Sequence, residues 1–137
     1  MNDLDVLAKT CWAEARNQGL EGQIAVAWTI RNRVEDGKAR SWWGEGYQGV
    51  CMAPWQFSCW NKTDPNYPYL IGKKPIKLAE LQVAIKAATL VMAGKEPDPT
   101  KGATHYYATS MKTPPAWAAH GTKTVQIGSH IFFKDVK

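Results

Sequence analysis

The first 36 residues carry a hydrophobic pattern typical of two consecutive α-helices. In the first segment, apolar residues recur at i, i+3, i+4 and i+7, which places them on one helical face; they are Leu4, Leu7, Ala8 and Cys11, extended by Trp12 and Ala15. Asn2 or Asp3 can cap this helix, and we expect it to end near residues 17–19. A second helix is predicted from Glu21 to about Asp36, with apolar residues around most of its circumference, so we expect it to be central and mostly buried.

The pattern changes after this second helix. Residues 37–70 are rich in Gly, Pro and Trp, and such a stretch is too long for a plain connection, so we interpret it as a functional loop or a segment of short irregular helices. Pro75 then begins a third predicted helix, with Gly94 suited to its C-terminal cap and Pro97 just beyond. The apolar stripe of this helix comprises Leu78, Leu81, Ile85, Ala88 and Met92.

The C-terminal part of the chain has the composition of strands. Residues 104–108 and 125–133 are rich in β-branched and aromatic side chains and can pair as a small antiparallel sheet. The Thr113-Pro114-Pro115 sequence between them favours a loop. Helices followed by a few strands predict one α+β domain that spans residues 1–137.

The charge of the chain is unevenly distributed. Residues 1–60 hold six basic and seven acidic residues, a net charge of −1, whereas residues 61–137 hold eleven Lys and five acidic residues, a net charge of +6. Sequence-specific nucleic-acid recognition relies on Arg, so this all-Lys half better suits diffuse attraction to a polyanionic surface. We therefore expect no nucleic-acid partner.

The sequence predicts neither a membrane span nor a signal peptide. No stretch approaches the ~20 apolar residues that a span needs, and the start of the chain is acidic where a signal peptide would be basic. We therefore expect no membrane insertion and synthesis in a cytoplasm. Cys11 is predicted to be a buried thiol, while a Cys51–Cys59 disulfide stays open, although cytoplasmic synthesis disfavours it.

Glu14 is the residue with the clearest candidate chemistry. It lies at the edge of the first helix's apolar stripe, whereas Arg16 falls on the opposite side of the helix. A carboxyl group at a core rim, close to Trp12, would be partly desolvated and its pKa raised, as a general acid at neutral pH requires. The alternative is a structural Glu that reaches solvent or pairs with a Lys.

Aromatic and polar residues suggest a sugar-binding surface. Seven Trp in 137 residues exceed the need of one small core, and indole rings stack on sugars as well as filling cores. Trp12 and Trp28 lie on helix stripes and are predicted to be core, while Trp42 and Trp43 have no assignment. Trp55 and Trp60 flank an amide, an aromatic ring and a hydroxyl, which suit a sugar groove or a tightly packed loop equally; these are Gln56, Phe57 and Ser58.

The histidines do not form a metal motif. His105, His120 and His130 could bind zinc together with the cysteines, but the chain has no His-Glu-x-x-His and no Cys-x-x-Cys sequence. We therefore predict no metal and no cofactor. In the strand at residues 104–108, alternation places His105 and Tyr107 on one face and Tyr106 on the other, so one face can line a site while the other packs.

Six ordered blocks resemble the SleB/CwlJ-type cell-wall hydrolases, a family named for spore-cortex-lytic enzymes and also found in phage lysis proteins. They span nearly the whole chain: Ala13-Glu14-Ala15-Arg16; Glu21 to Ala27 with Arg31-Asn32-Arg33-Val34; Gln56-Phe57-Ser58; Asp98-Pro99-Thr100 with Gly102 to Tyr107; Pro115-Ala116-Trp117; and Ile127-Gly128-Ser129-His130 before Phe132-Phe133. The resemblance implies a lysozyme-like, mainly helical domain with a small antiparallel sheet near the C-terminus, related to goose-type lysozymes and lytic transglycosylases. It also implies that Glu14 is the catalytic acid.

Two departures from the family pattern bear on mechanism. The family commonly has Gly-Glu where this chain has Asn17-Gln18, and residues 42–49 have no recognisable counterpart. Glycosidases that use water normally need two carboxylates, and nothing in the sequence places a second acid beside Glu14; the candidates are Glu21, Glu35, Glu45 and Asp98. A lytic transglycosylase needs only one, so we expect cleavage between N-acetylmuramic acid and N-acetylglucosamine with 1,6-anhydro products.

The complete expectation is a monomeric phage endolysin that is released from the host cytoplasm onto bacterial peptidoglycan. The glycan would be oriented by residues that join suitable chemistry to the matching blocks: Gln56, Ser58, Trp60, His105, Tyr107 and Trp117. Three alternatives stay open: a hydrolytic muramidase acting on the same bond, a zinc amidase, and a non-catalytic module that binds cell wall or nucleic acid.

Overall fold

The computed structural model describes residues 1–36, 43–54 and 56–136. Within these residues the chain forms five α-helices and three β-strands: α1 (Asp3–Ala15), α2 (Gly19–Glu35), α3 (Gly46–Met52), α4 (Tyr67–Leu70), α5 (Leu78–Met92), β1 (His105–Ala108), β2 (Thr122–Ile127) and β3 (His130–Lys134). Short 3₁₀ helices cover Arg16–Gln18, Ser58–Trp60 and Ala116–His120. Helices followed by a small sheet confirm the predicted α+β class.

The two N-terminal helices follow the hydrophobic pattern closely. Asn2 caps α1, because its side chain accepts a hydrogen bond from the Asp5 N–H at 2.9 Å. The helix ends at Ala15, whose φ of −148° leaves the helical region. A single 3₁₀ turn then leads into α2, which begins at Gly19, two residues before the predicted position.

The core lies between α1, α2 and α5. The buried face of α5 consists of small residues, Ala84, Ala87, Ala88 and Val91, all 0% exposed. The predicted stripe was therefore wrong in part, because Leu78 is 68% exposed and Ile85 is 39% exposed. Small side chains let the α5 backbone approach its neighbours closely. The buried face of α5 therefore depends on side-chain volume as well as on hydrophobicity. Pro75 also precedes the helix by three residues rather than beginning it.

The described part of the segment between α2 and α5 contains α3, a 3₁₀ turn and α4. Of the two predicted alternatives, this agrees with a segment of short irregular helices. Cys51 of α3 and Cys59 of the 3₁₀ turn are buried, as is Cys11 of α1. All three thiols are free in this structure. No helix in the described part of the chain is long and apolar enough to cross a membrane.

The sheet is antiparallel with strand order β1-β3-β2. Residues 125–133, predicted as one strand, form parts of two strands joined by a turn at Gly128 and Ser129. Gly128 has a φ of 56°, which is incompatible with an extended strand and accessible to glycine at little cost. In the β1–β3 pair, Tyr106 lies opposite the fully buried Phe132, so this face of the sheet packs onto the helices.

Candidate active site

Glu14 occupies the last turn of α1, where the helix meets the sheet. The Tyr106 hydroxyl, from β1, donates a hydrogen bond to Glu14 Oε1 at 2.5 Å. Ala13, Glu14, Arg16 and Asn17 line an open cleft of about 290 Å³ at this helix end. A carboxyl group at a helix end, beside an open cleft and held by a phenol, has the placement that a general acid needs.

The surroundings of Glu14 favour its protonated form. Burial raises the pKa of Glu14 above its usual value, and the negative charge of Asp64 raises it further. The Tyr106 hydrogen bond and the positive charge of Arg33 act in the opposite direction and lower the pKa, but they do not outweigh burial. The carboxyl group therefore keeps its proton to higher pH than an exposed Glu, as its position at the core rim predicts.

Tyr106 is itself held by aromatic packing on the inner face of the sheet. Its ring centroid lies 4.8 Å from that of His130 and 5.5 Å from that of Phe132. Burial, followed by the charge of Glu14, raises the pKa of Tyr106 well above 10, so the phenol stays protonated and donates to Glu14. Burial also lowers the pKa of His130, which leaves its ring neutral at neutral pH.

Arg33 of α2 connects the site to the loop before the 3₁₀ turn at Ser58–Trp60. Its Nε donates to the Thr104 carbonyl oxygen at 2.6 Å, and its Nη1 donates to Gln56 Oε1 at 3.0 Å. The guanidinium also lies over the rings of Trp43, at 4.8 Å, and Phe57, at 5.1 Å. Burial lowers the pKa of Arg33 to about 10, so it remains charged at neutral pH.

Arg16 does not occupy the side of α1 that the helical pattern predicted. Because α1 ends at Ala15, the 100° spacing stops there, and Arg16 and Glu14 line the same cleft. The Arg16 guanidinium lies 4.2 Å from the ring centroid of Trp12. This position puts a cation at the cleft that holds the candidate acid.

The structure distributes three of the predicted glycan-binding residues along the loop near Arg33. Gln56 accepts the hydrogen bond from Arg33, and Ser58 is exposed at the start of the 3₁₀ turn. Trp60 is half-buried, and its indole N–H donates to Thr10 Oγ1 of α1 at 2.9 Å. Trp55, also expected beside the groove, lies outside the described residues, as does Trp42.

The other three predicted binding residues form an aromatic cluster on the opposite face of β1 from Tyr106. The His105 ring lies 5.0 Å from Trp43 and 4.8 Å from Trp117, and Tyr107 lies 5.9 Å from Trp117. Burial, with the charge of Arg33 as a lesser cause, lowers the pKa of His105 to about 4. The structure thus brings His105, Tyr107 and Trp117 together, but not with Glu14, and their role in glycan binding stays a prediction.

Sequence reasoning missed three residues that act on Glu14, namely Tyr106, Arg33 and Asp64. The alternation in β1 assigned Tyr106 to one of two faces, and nothing in the pattern said which face meets α1. Asp64 was not among the four acids considered as a second carboxylate. Of those four, Glu35 pairs with Arg31 at 2.9 Å, and Asp98 accepts hydrogen bonds from Asn32 and Thr100.

The described residues contain no group of three or more His, Cys, Asp or Glu side chains arranged to hold a metal ion. His130 shows why the three histidines do not combine. Its ring packs against Tyr106 on the inner face of the sheet, whereas His105 lies in the aromatic cluster on the outer face.

Comparison with known proteins gives consistent matches. A sequence profile described as Cell Wall Hydrolase matches residues 17–133, a range that begins just after Glu14. A spore cortex-lytic enzyme of Halalkalibacterium halodurans is 27% identical over 131 residues, which cover 96% of this chain and 34% of that protein. The chain therefore spans about a third of the length of this curated relative.

Two solved structures match over almost the whole chain. The catalytic domain of the germination-specific lytic transglycosylase SleB from Bacillus anthracis superposes with a TM-score of 0.70 and 27% identity, over 98% of this chain and 95% of that domain. The catalytic domain of the Bacillus cereus SleB protein gives a TM-score of 0.71 and 28% identity, over 97% and 90%. The chain thus has the fold of the SleB catalytic domain and, as the ordered sequence blocks indicated, it belongs to the cell wall hydrolase family.

Proposed function

We propose that this chain cleaves the glycan strand of peptidoglycan between N-acetylmuramic acid and N-acetylglucosamine, as a lytic transglycosylase with Glu14 as its acid and base. The observation that carries the proposal is the Glu14–Tyr106 pair, a carboxyl group with a raised pKa at an open cleft. The similarity to the SleB catalytic domain of Bacillus anthracis, described as a lytic transglycosylase, supports the same reaction.

In the proposed reaction, Glu14 works twice. Its proton passes to the oxygen that bridges the two sugars, the C1–O bond breaks, and the N-acetylglucosamine end departs with a hydroxyl group. The carboxylate then takes the proton from the muramoyl 6-hydroxyl as that oxygen bonds to C1, which closes the 1,6-anhydro ring. No water enters, because the nucleophile belongs to the same sugar. Tyr106 holds Oε1, which leaves Oε2 for the proton transfers.

Hydrolysis of the same bond is the second candidate, and Asp64 is the observation that favours it. Its negative charge raises the pKa of Glu14, so a second carboxylate lies within electrostatic range of the acid. However, Asp64 Oδ1 accepts the N–H of Asn66 at 2.8 Å and so stabilises the turn before α4. We therefore assign Asp64 an electrostatic effect on Glu14 rather than the activation of water.

Digestion of purified sacculi by the wild type and by Glu14→Gln and Asp64→Asn variants tests this assignment. We expect Glu14→Gln to abolish release of soluble fragments while the protein still unfolds cooperatively, and Asp64→Asn to retain activity. Mass spectrometry of the wild-type products should show muramoyl ends one water lighter than hydrolysis products. Hydrated ends together with an inactive Asp64→Asn variant would support the muramidase instead. Undiminished activity of Glu14→Gln would overturn the role of Glu14.

A zinc amidase and a binding module are separated by the same digestion. An amidase releases peptides rather than glycan fragments and loses activity in EDTA. A binding module sediments with sacculi and releases nothing. We expect glycan fragments whose yield is unchanged by EDTA.

We further propose that the chain acts as a monomeric endolysin on the cell wall. The exposed lysines of the second half, among them Lys86, Lys95, Lys101 and Lys112, suit attraction to an anionic wall. Expression in a bacterial cytoplasm should cause lysis only when a second protein permeabilises the inner membrane. Lysis without permeabilisation, or light scattering that gives a dimer mass, would contradict this proposal.

A further inference from the structure

We propose that Arg16, together with Lys74, binds a carboxylate carried on the lactyl substituent of the muramoyl residue, either the free lactyl carboxylate or, where a peptide is attached, a carboxylate of that peptide, so that the enzyme distinguishes carboxylated strands from neutral ones. The proposal rests on the glycan cleavage proposed above and names the part of the substrate that this end of the cleft recognises. Neither residue takes part in the proton transfers of the proposed reaction, so we assign both to substrate specificity rather than to catalysis.

The first support is the position of Arg16. It is exposed, it lines the same cleft as Glu14, and it follows the candidate acid by only two residues. Within the described part of the chain, the Arg16 guanidinium forms no ion pair with a carboxylate. Its charge is therefore available to an anionic ligand at the cleft.

The second support is that Arg16 is held in place rather than left free in solvent. Its guanidinium lies over the Trp12 ring at 4.2 Å, and the Trp12 indole N–H donates to Glu80 Oε1 at 3.0 Å. Arg16 Nη1 also donates to the Trp12 carbonyl oxygen at 3.4 Å, so this hydrogen bond and the stacking on the 3% exposed indole together hold the guanidinium in place. Such preorganisation reduces the conformational entropy lost on binding an anion.

The same aromatic packing leads to a second cation. The Trp12 ring lies 5.3 Å from the Tyr69 ring, and Lys74 Nζ lies 5.6 Å from the centroid of Tyr69. A chain of ring contacts therefore connects Arg16 to Lys74 through the Trp12–Tyr69 pair. Among the described residues, neither cation forms an ion pair with a carboxylate, and Glu80, the acid at this surface, accepts from the Trp12 indole.

The chemistry of the substrate supplies the matching anion. The muramoyl sugar carries its lactyl ether on C3, on the same ring as the C1 atom where the glycan bond breaks. The lactyl carboxyl group is either free, as a carboxylate, or bound in an amide to a peptide, in which case the carboxylates are those of the peptide. An Arg fork binds a carboxylate with two parallel hydrogen bonds, whereas Lys acts as a point charge. Arg16 is thus suited to the nearer carboxylate and Lys74 to a more distant one.

The test compares soluble glycan strands in three forms: peptide-bearing strands, strands with the peptide removed and the lactyl carboxylate free, and strands with all carboxylates converted to neutral amides. We expect Arg16→Gln to raise KM about tenfold or more on both carboxylated forms, as loss of a charge-assisted bidentate contact implies. On amidated strands, KM should equal that of the wild type, and kcat should stay near the wild-type value throughout. Lys74→Gln should raise KM only on peptide-bearing strands.

Two variants control for folding and for net charge. Arg16→Lys keeps the positive charge without the fork and should fall between the wild type and Arg16→Gln. Lys86→Gln removes the same charge from an exposed position on α5 that contributes only long-range attraction, so its effect on KM should be much smaller than that of Arg16→Gln. An equal loss for Arg16→Gln on all three substrates, or an equal effect of Lys86→Gln, would overturn the proposal.

Binding measurements separate this proposal from the cleavage reaction. In a Glu14→Gln background, the retained fraction of protein on carboxylated and on amidated strands reports recognition without turnover. Arg16→Gln should remove the preference for carboxylated strands in that background. Persistence of the preference would refute the role of Arg16, whereas hydrated products from the wild type would refute only lytic cleavage.

Discussion

At the scale of single residues, burial and one hydrogen bond have opposite effects on the pKa of Glu14. Burial favours the neutral acid, which must donate a proton first, while the Tyr106 hydroxyl favours the carboxylate, which must accept one later. An acid–base residue needs both forms within reach at the working pH. Tyr106 therefore moderates the desolvation that a buried position on α1 imposes.

Replacement of Tyr106 by Phe tests this balance. The hydroxyl lowers the pKa of Glu14, so its removal should raise that pKa and move the alkaline limb of the kcat/KM profile to higher pH. Loss of orientation should also reduce kcat/KM on the acidic side of that limb by roughly tenfold. The measurement is a pH profile on soluble strands. An alkaline limb that moves to lower pH would contradict the assignment, and Tyr107→Phe, on the outer face of β1, is the control that should leave the limb in place.

At the scale of elements, the site depends on the docking of the β2–β3 hairpin onto the turn between α1 and α2. Gln18 Oε1 accepts the N–H of Ser129 at 2.8 Å, and a Cβ at Gly128 would collide with that same oxygen. Strand β3 leaves this turn and pairs with β1, which carries Tyr106. The contact at Gln18 therefore helps to position the phenol that holds Glu14.

Gly128→Ala should lower the free energy of unfolding for two separable reasons. The φ of 56° costs a non-glycine residue about 1 kcal/mol, and displacement of Gln18 costs about 1 kcal/mol more through the lost hydrogen bond. Gly72→Ala is a matched control, because its φ is 83° but nothing lies within 4 Å of the added Cβ. Urea unfolding should show a smaller cost of Gly128→Ala in a Gln18→Ala background. Equal costs of Gly128→Ala and Gly72→Ala in the wild-type background would argue against the contact.

At the scale of the whole molecule, the charge is separated along the chain. The sequence carries a net charge of −1 over residues 1–60, which include Glu14, and +6 over residues 61–137. Most of the lysines in the second half are exposed, whereas the charges that act on Glu14 come from Asp64 and Arg33. Attraction to the wall and tuning of the acid thus use different residues.

This separation predicts a salt dependence that differs between substrates. Raising NaCl from about 0.05 to about 0.5 M shortens the Debye length to a few ångströms, so the rate on intact sacculi should fall several-fold as long-range attraction is screened. The rate on short soluble fragments with few charges should change much less. Turbidity assays and fragment chromatography measure the two rates, and an equal fall for both substrates would show that salt acts on the site itself.

The amino-acid sequence by itself determined the helices, the class of fold and the candidate acid. Hydrophobic spacing and caps are local properties, and they place α1, α2 and the rim position of Glu14 without knowledge of the rest of the chain. The ordered blocks added the family. Local pattern was less reliable where packing decides, as in α5, whose Ala-rich face is buried while Leu78 is exposed.

Only the tertiary structure decided which groups meet Glu14. Tyr106 lies 92 residues from Glu14 in the sequence, and the choice between the two faces of β1 depends on how the sheet docks onto α1. Arg16 changed sides because the helix ends one residue before it. The pKa of Glu14 is a sum over burial, Tyr106, Asp64 and Arg33, and these meet only in three dimensions because electrostatic energies depend on distance and solvent exclusion rather than on separation along the chain.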